Sequence, residues 1–141
     1  MSLTGARSYL RGRANSIGLK EWSGGFNFEN IPSTLINRSY HIQSGTGSGV
    51  KLNQNDQEIT FSQTVRIFIK GYKDVSTAID SAIKITEDLI KEAVSPKNRL
   101  TQSDGIKNIV LENFQFDADS ASNDTLIIAS VTFRIFTVLG L

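Results

Sequence analysis

The side chains able to do chemistry are few and scattered. His41 is the only histidine and there is no cysteine, so disulfides, thiolate metal sites and cysteine nucleophiles fall away together. One histidine in a strand-like stretch, with no second histidine at metal-ligand spacing, reads as a structural or surface residue. The run GTGSG, residues 45–49, has the glycine content of a phosphate loop. It lacks the GK[ST] ending and leads into a strand pattern rather than a helix, so no helix N-terminus would face an anion. Asp117, Asp119 and Asp124 offer oxygen ligands for calcium, but without EF-hand order or a closing glutamate. A polar hairpin turn over 117–124 is the better reading of that run. No nucleophile, acid–base pair, metal set or cofactor loop emerges, so the expectation is a protein without catalysis, metal or cofactor.

Charge points to surfaces rather than to a reaction. Arg7, Arg11, Arg13 and Lys20 precede the first acid, Glu21. Such a cluster permits contact with nucleic acid, yet no aromatic ladder or DNA-binding motif accompanies it. A subunit contact or plain solvation is preferred. The net charge of the chain is +1, which gives no general pull toward polyanions or membranes. Trp22, Phe26 and Phe28 cluster in a glycine-rich stretch, either anchoring it on the core or inserting into a partner.

The elements that must position these residues follow from periodicity. The chain has 141 residues, the size of one domain, 1–141, with room for a real core. Residues 3–17 carry Leu3, Ala6, Leu10, Ala14 and Ile17 at helical spacing, with Gly18 placed to end the helix. Residues 21–33 read as a loop and 34–43 as a strand that includes Arg38. The composition of 44–57 predicts a long flexible loop, in which Gly45, Gly47, Gly49, Lys51 and Asn53 are candidates to order on a partner. Residues 59–72 alternate cleanly and predict a strand. Residues 75–94 predict an amphipathic helix whose apolar stripe includes Ile79, Ala82, Ile83, Thr86, Leu89 and Ala93. Asp80 with Lys84 and Glu87 with Lys91 form acid-first pairs on its outer side. Strands follow at 106–116 and 124–139. The fold class is α/β in the α+β sense. It is a single mixed or antiparallel sheet of about four strands flanked by two helices, in the order α-β-β-α-β-β.

The last strand, DTLIIASVTFRIFTVL, carries an unusual second face. Ile127, Ala129, Val131, Phe133 and Ile135 suit a core. The opposite face, Ile128, Ser130, Thr132, Arg134 and Phe136, is apolar at its ends and polar in the middle, whereas a half-exposed strand alternates plainly. Its cover is expected to be a neighbouring subunit or the chain's own first helix and loop. The start of the chain lacks the apolar core of a signal peptide, and the last strand is too short and polar to span a bilayer. No membrane partner is expected, and synthesis in the cytosol is the default.

Taken in order, IPSTLINRSYHIQ, the strand ITFSQTVRIFIKGY, the amphipathic helix and the closing ASVTFRIF resemble the tail terminator (tail completion) proteins of long-tailed bacteriophages. The resemblance rests on Ile31-Pro32-Ser33 before Arg38, Tyr40 and His41, on Val65-Arg66-Ile67 leading to Lys70-Gly71-Tyr72, and on Val131-Thr132-Phe133-Arg134. It implies a homo-oligomeric, hexameric ring on the last ring of the tail tube protein. That ring stops tube polymerisation and joins the head–tail connector protein, while DNA passes through the lumen without sequence-specific binding. It implies a virion location after assembly in the host bacterial cytoplasm. On this reading Ile128, Ser130, Thr132, Arg134 and Phe136 are subunit-interface candidates. Arg7 and Arg11 with Asp117 and Asp119 would supply complementary charge, which steers register more than it adds affinity. A head–tail connector or tail tube subunit is the alternative within the same particle, and a small nucleic-acid-binding module the alternative outside it.

Overall fold

A computed structural model describes residues 3–22, 37–51, 53–71, 75–95, 106–119 and 126–140. The elements are α1 (Leu3–Ser16), β1 (Lys20–Glu21), β2 (Ser39–Lys51), β3 (Asp56–Lys70), α2 (Val75–Val94), β4 (Ile106–Asp119) and β5 (Leu126–Gly140). The sheet is mixed and five-stranded, in the order β1-β2-β3-β5-β4. Only the β1–β2 pair is parallel. The fifth strand is β1, whose two residues are too few to show a period.

One face of the sheet carries the core. Val65, Ile67 and Ile69 of β3 and Ile127, Ala129, Val131, Phe133 and Ile135 of β5 form one cluster with Ala6, Tyr9, Leu10 and Ala14 of α1 and Ala82, Leu89 and Ala93 of α2. Both helices therefore lie on the same face. Each fully buried large side chain contributes about 1.5–3 kcal/mol by leaving water. Tyr9 secures the helix pair by donating its hydroxyl to the Ala93 carbonyl at 2.7 Å. Gly18, at φ 90°, ends α1 in a Schellman turn: Leu19 N–H reaches Ala14 O at 3.2 Å and Gly18 N–H reaches Asn15 O at 3.1 Å.

Three expectations are corrected. Residues 44–51 and 56–57 are strand, not loop. β2 continues through Lys51, β3 starts at Asp56, and the long hairpin pairs as far as Lys51 with Gln57. Its turn is held by Asn53, whose Oδ1 accepts from the N–H groups of Asn55 at 2.8 Å and Asp56 at 2.9 Å. Arg38 is not in a strand: it sits in a turn at φ 61°, and β2 begins one residue later. Asp117 and Asp119 belong to β4, not to a turn. Residues 120–125, with Asp124, lie outside the described residues, as do Phe26, Phe28 and the Ile31-Pro32-Ser33 segment.

The stripe on α2 is also rotated from its expected position. Ala78, Ala82, Ile85, Thr86, Leu89 and Ala93 are buried, while Ile79 is 38% and Ile83 48% exposed. On the outer side Glu87 pairs with Lys91 at 2.8 Å as expected, but Lys84 pairs with Asp88 at 3.0 Å rather than with Asp80.

Candidate functional site

The even-numbered residues of β5 occupy the face of the sheet opposite both helices. In register they sit between β3 and β4: Ile128 between Phe68 and Asp117, Ser130 between Arg66 and Gln115, Thr132 between Thr64 and Asn113, Arg134 between Ser62 and Val110. Phe136 lies between Thr60 and Asn108. The chain's own first helix is not the cover for this face, because α1 packs into the core on the other side.

The middle of that face is a cross-linked polar belt. Thr64 and Thr132 join their hydroxyls at 2.9 Å. Arg134 donates to Glu112 Oε1 at 2.6 Å, and Ser62 donates to Glu112 Oε2 at 2.8 Å. These partners hold the Glu112 carboxyl below the ordinary carboxylate range, the Ser62 hydrogen bond first and the Arg134 hydrogen bond next. A shallow depression of about 330 Å³ beside the belt is lined by Thr64, Arg66, Gln115, Asp117, Ser130 and Thr132. At the lower end Phe68 and Leu126 are buried, with Ile128 packed against them. Phe136 marks the upper end. The mixed pattern read from the sequence is thus two apolar ends around a tied polar centre.

The charge candidates lie apart. α1 touches β1 and β2, whereas β4 forms the opposite margin of the sheet. Arg7 and Arg11 are therefore separated within one chain from Asp117 and Asp119. Arg11 forms an ion pair with Glu21. Arg13 meets Glu92 at 3.0 Å and stands 5.7 Å over the Tyr9 ring. Much of the basic cluster is thus committed to acids and an aromatic of its own chain. The exposed Asp117 carboxylate accepts from Gln115 Nε2 at 3.0 Å and 3.1 Å, and Asp119 lies opposite Leu126.

Gly45, Gly47 and Gly49 lie along the hairpin, beside a groove of about 600 Å³. Its walls include Ile59, Phe61, Gln57 and Gln63, and Arg7 of α1 also lines it. Gly47 pairs with Phe61 and Gly49 with Ile59, on the helix side. The glycines leave room there for those larger neighbours: a Cβ on Gly47 would come within 3.0 Å of Phe61 Cβ, and one on Gly49 within 2.7 Å of Gln57 Nε2. Lys51, at the far end, is exposed.

Both margins of the sheet are open among the described residues. β1 pairs with β2 only at Ser39 and Tyr40, so from Ile42 to Lys51 β2 has no outer strand among the described residues. β4 has none along Ile106–Asp119. Phe114, on the helix side of β4, is 52% exposed and meets Phe116 edge-on at 5.8 Å. Sequence alternation missed it because the β4 register shifts twice, between Ile106 and Asn108 and between Leu111 and Asn113. Those shifts put Ile109, Leu111 and Phe114 on one side. Among the described residues no cluster of His, Cys, Asp and Glu is arranged to hold a metal, and no helix is long and apolar enough to cross a membrane. No protein-family model and no curated protein matches the sequence.

Proposed function

We propose that this chain is a structural subunit that closes head to tail into a hexameric ring. The ring caps the tail tube of a long-tailed bacteriophage, ends tube growth and presents the surface that joins the capsid connector. The observation that carries the reading is the pair of margins that are open among the described residues of one sheet. From β2 through β3 and β5 to β4 every pairing is antiparallel, so β2 and β4 run in opposite directions. A copy displaced sideways without inversion therefore brings its β2 against β4 in antiparallel sense. That contact is heterologous, and heterologous contacts close into rings when the rotation fits. Unpaired edges of this length invite such pairing.

Two further features support a ring around DNA. In a ring joined through its sheet margins, the faces of the sheet point inward and outward. The helix-free face then lines the lumen, with Ser130, Thr132 and Arg134 at its centre. Hydroxyls and amides share that face with Arg66, Lys70 and Arg134; Arg134 is matched by Glu112, and Arg66 lies in one depression with Asp117. Cations set beside acids hold phosphates less strongly than free ones. The same edge contact draws α1, with Arg7 and Arg11, toward the neighbour's β4, with Asp117 and Asp119, which are far apart in one chain.

The work is mechanical, without catalysis or a cofactor. The assembly belongs to the virion and forms in the host bacterial cytoplasm, with the tail tube protein and the head–tail connector protein as partners. Deleting the gene from the phage that carries it tests the reading. Overlong tails, or tails that fail to join heads, are expected. Tails of normal length joined to heads refute it.

A further inference from the structure

We infer that Phe114 of one copy seats in the glycine-floored groove of the next, beneath Arg7, so that the two open margins form one knob-and-groove joint. The inference rests on the ring reading only for closure; the joint itself is argued from the two margins.

The exposed apolar side chains on the helix side gather at the β4 margin. Phe114 is there by register, across from Val131. On α2, Ile83 lies nine residues from Glu92, about two and a half turns, and so on the opposite flank. Glu92 is the residue that meets Arg13 and Ser16 of α1. Ile83 and its neighbour Ile79 therefore face away from α1, the side on which β4 lies. A flank with three large exposed apolar residues is what one half of a subunit contact presents.

The β2 margin presents the complement. Gly47 and Gly49 remove side chains from the helix side, leaving Ile59 and Phe61 as apolar walls. Arg7 lines the groove with a buried Nε that makes no hydrogen bond. A guanidinium over an apolar cleft suits the face of an aromatic ring. A phenyl ring against Ile59 and Phe61 would bury a large apolar area.

The register sets the offset between copies. Phe114, Val131, Val65 and Ile42 form one row across the sheet. The groove begins at Ser44, one pleat further along β2. Entry of Phe114 at the Ser44 end displaces the copies along the strands by two residues, about 7 Å. Closing a sheet requires a stagger of this kind.

The chain has no cysteine, so single cysteines report the joint directly. Ser44→Cys and Phe114→Cys chains are mixed, alone and on isolated tail tubes, and oxidised. A disulfide-linked pair is expected from the mixture and not from either chain by itself, and a chain with both changes should give a ladder of linked oligomers. Phe114→Ser should unfold like the parent and raise the dissociation constant of the assembly at least tenfold. Phe114→Cys chains linking to each other would overturn the joint. So would a mixture that stays unlinked while the parent runs as an oligomer, which leaves the ring reading standing. Head-to-tail links in a chain whose loss leaves tails normal would keep the joint and remove the terminator reading. A chain that stays monomeric even on tubes removes both.

Discussion

Arg134 of β5 holds Glu112 of β4 at 2.6 Å, although Glu112 falls in a break of the β4 register, between the Leu111–Phe133 and Asn113–Thr132 pairs. The bulge turns the carboxylate onto the helix-free face, where Ser62 of β3 also reaches it at 2.8 Å. Three strands are joined through one carboxylate. Arg134→Glu puts a second carboxylate beside Glu112, and like charges facing each other across strands are destabilising. The unfolding temperature should fall modestly, because the pair is half exposed. The exchange Arg134→Glu with Glu112→Arg should recover part of that loss in a double-mutant cycle. An exchange no better than the single change would show that the pair does not couple the strands.

The same carboxylate gives an acid limb. Its folded pKa is depressed, by the Ser62 hydrogen bond and then by the Arg134 hydrogen bond. Its contribution is therefore present above the ordinary carboxylate value and is lost as pH falls through the folded value. Urea midpoints followed from about pH 6 to pH 3 should fall less steeply for Glu112→Gln than for the parent. Identical slopes would remove Glu112 from the acid response.

An alkaline limb belongs to Tyr40. Burial, with the negative charge of Glu21 adding to it, pushes its phenol up to about 12. The hydroxyl donates to Asn15 Oδ1 at 2.8 Å. A phenol raised in the fold is stabilising in its neutral form. That stability is complete below the unfolded value of about 10 and is lost as pH rises from there through about 12. Tyr40→Phe should flatten stability across this window, at a cost near neutrality of about 0.5–1.5 kcal/mol for the lost hydrogen bond. A Tyr40→Phe chain with an unchanged alkaline limb would assign that limb to another group.

Much of this arrangement was legible in the residues. The 75–94 helix runs as its periodicity indicates, and the alternation of Ile59, Phe61, Val65, Ile67 and Ile69 marks the core face of β3 correctly. Gly18 ends α1 as its type suggests. What failed has physical causes. Gly45, Gly47 and Gly49 read as loop by composition, yet in a strand glycine also marks where neighbours approach closely, and Phe61 and Gln57 do so here. Ile79 and Ile83 fit a helical stripe, but the sheet selects the adjoining stripe, whose alanines, Ala78, Ala82 and Ala93, let the helix approach. Phe114 was hidden by bulges that no alternation rule anticipates. Strand order depends on contacts far apart in sequence, and no local pattern encodes it.

Two apolar residues separate folding from assembly. Phe133 is fully buried beneath the helices, so Phe133→Ala removes a ring from the packed core and should cost about 3–5 kcal/mol. Ile83 is 48% exposed, on the flank of α2 turned away from α1. Ile83→Ser removes little buried area in the monomer and should change stability by less than about 0.5 kcal/mol. In the proposed ring that flank would meet a neighbour, so the same change should weaken self-association or capture by tail tubes while leaving thermal unfolding of the monomer intact. Denaturant unfolding and sedimentation of both variants give the comparison. If Ile83→Ser assembles like the parent, the flank of α2 lies outside the subunit contact, and the proposed joint is confined to Phe114 and the groove.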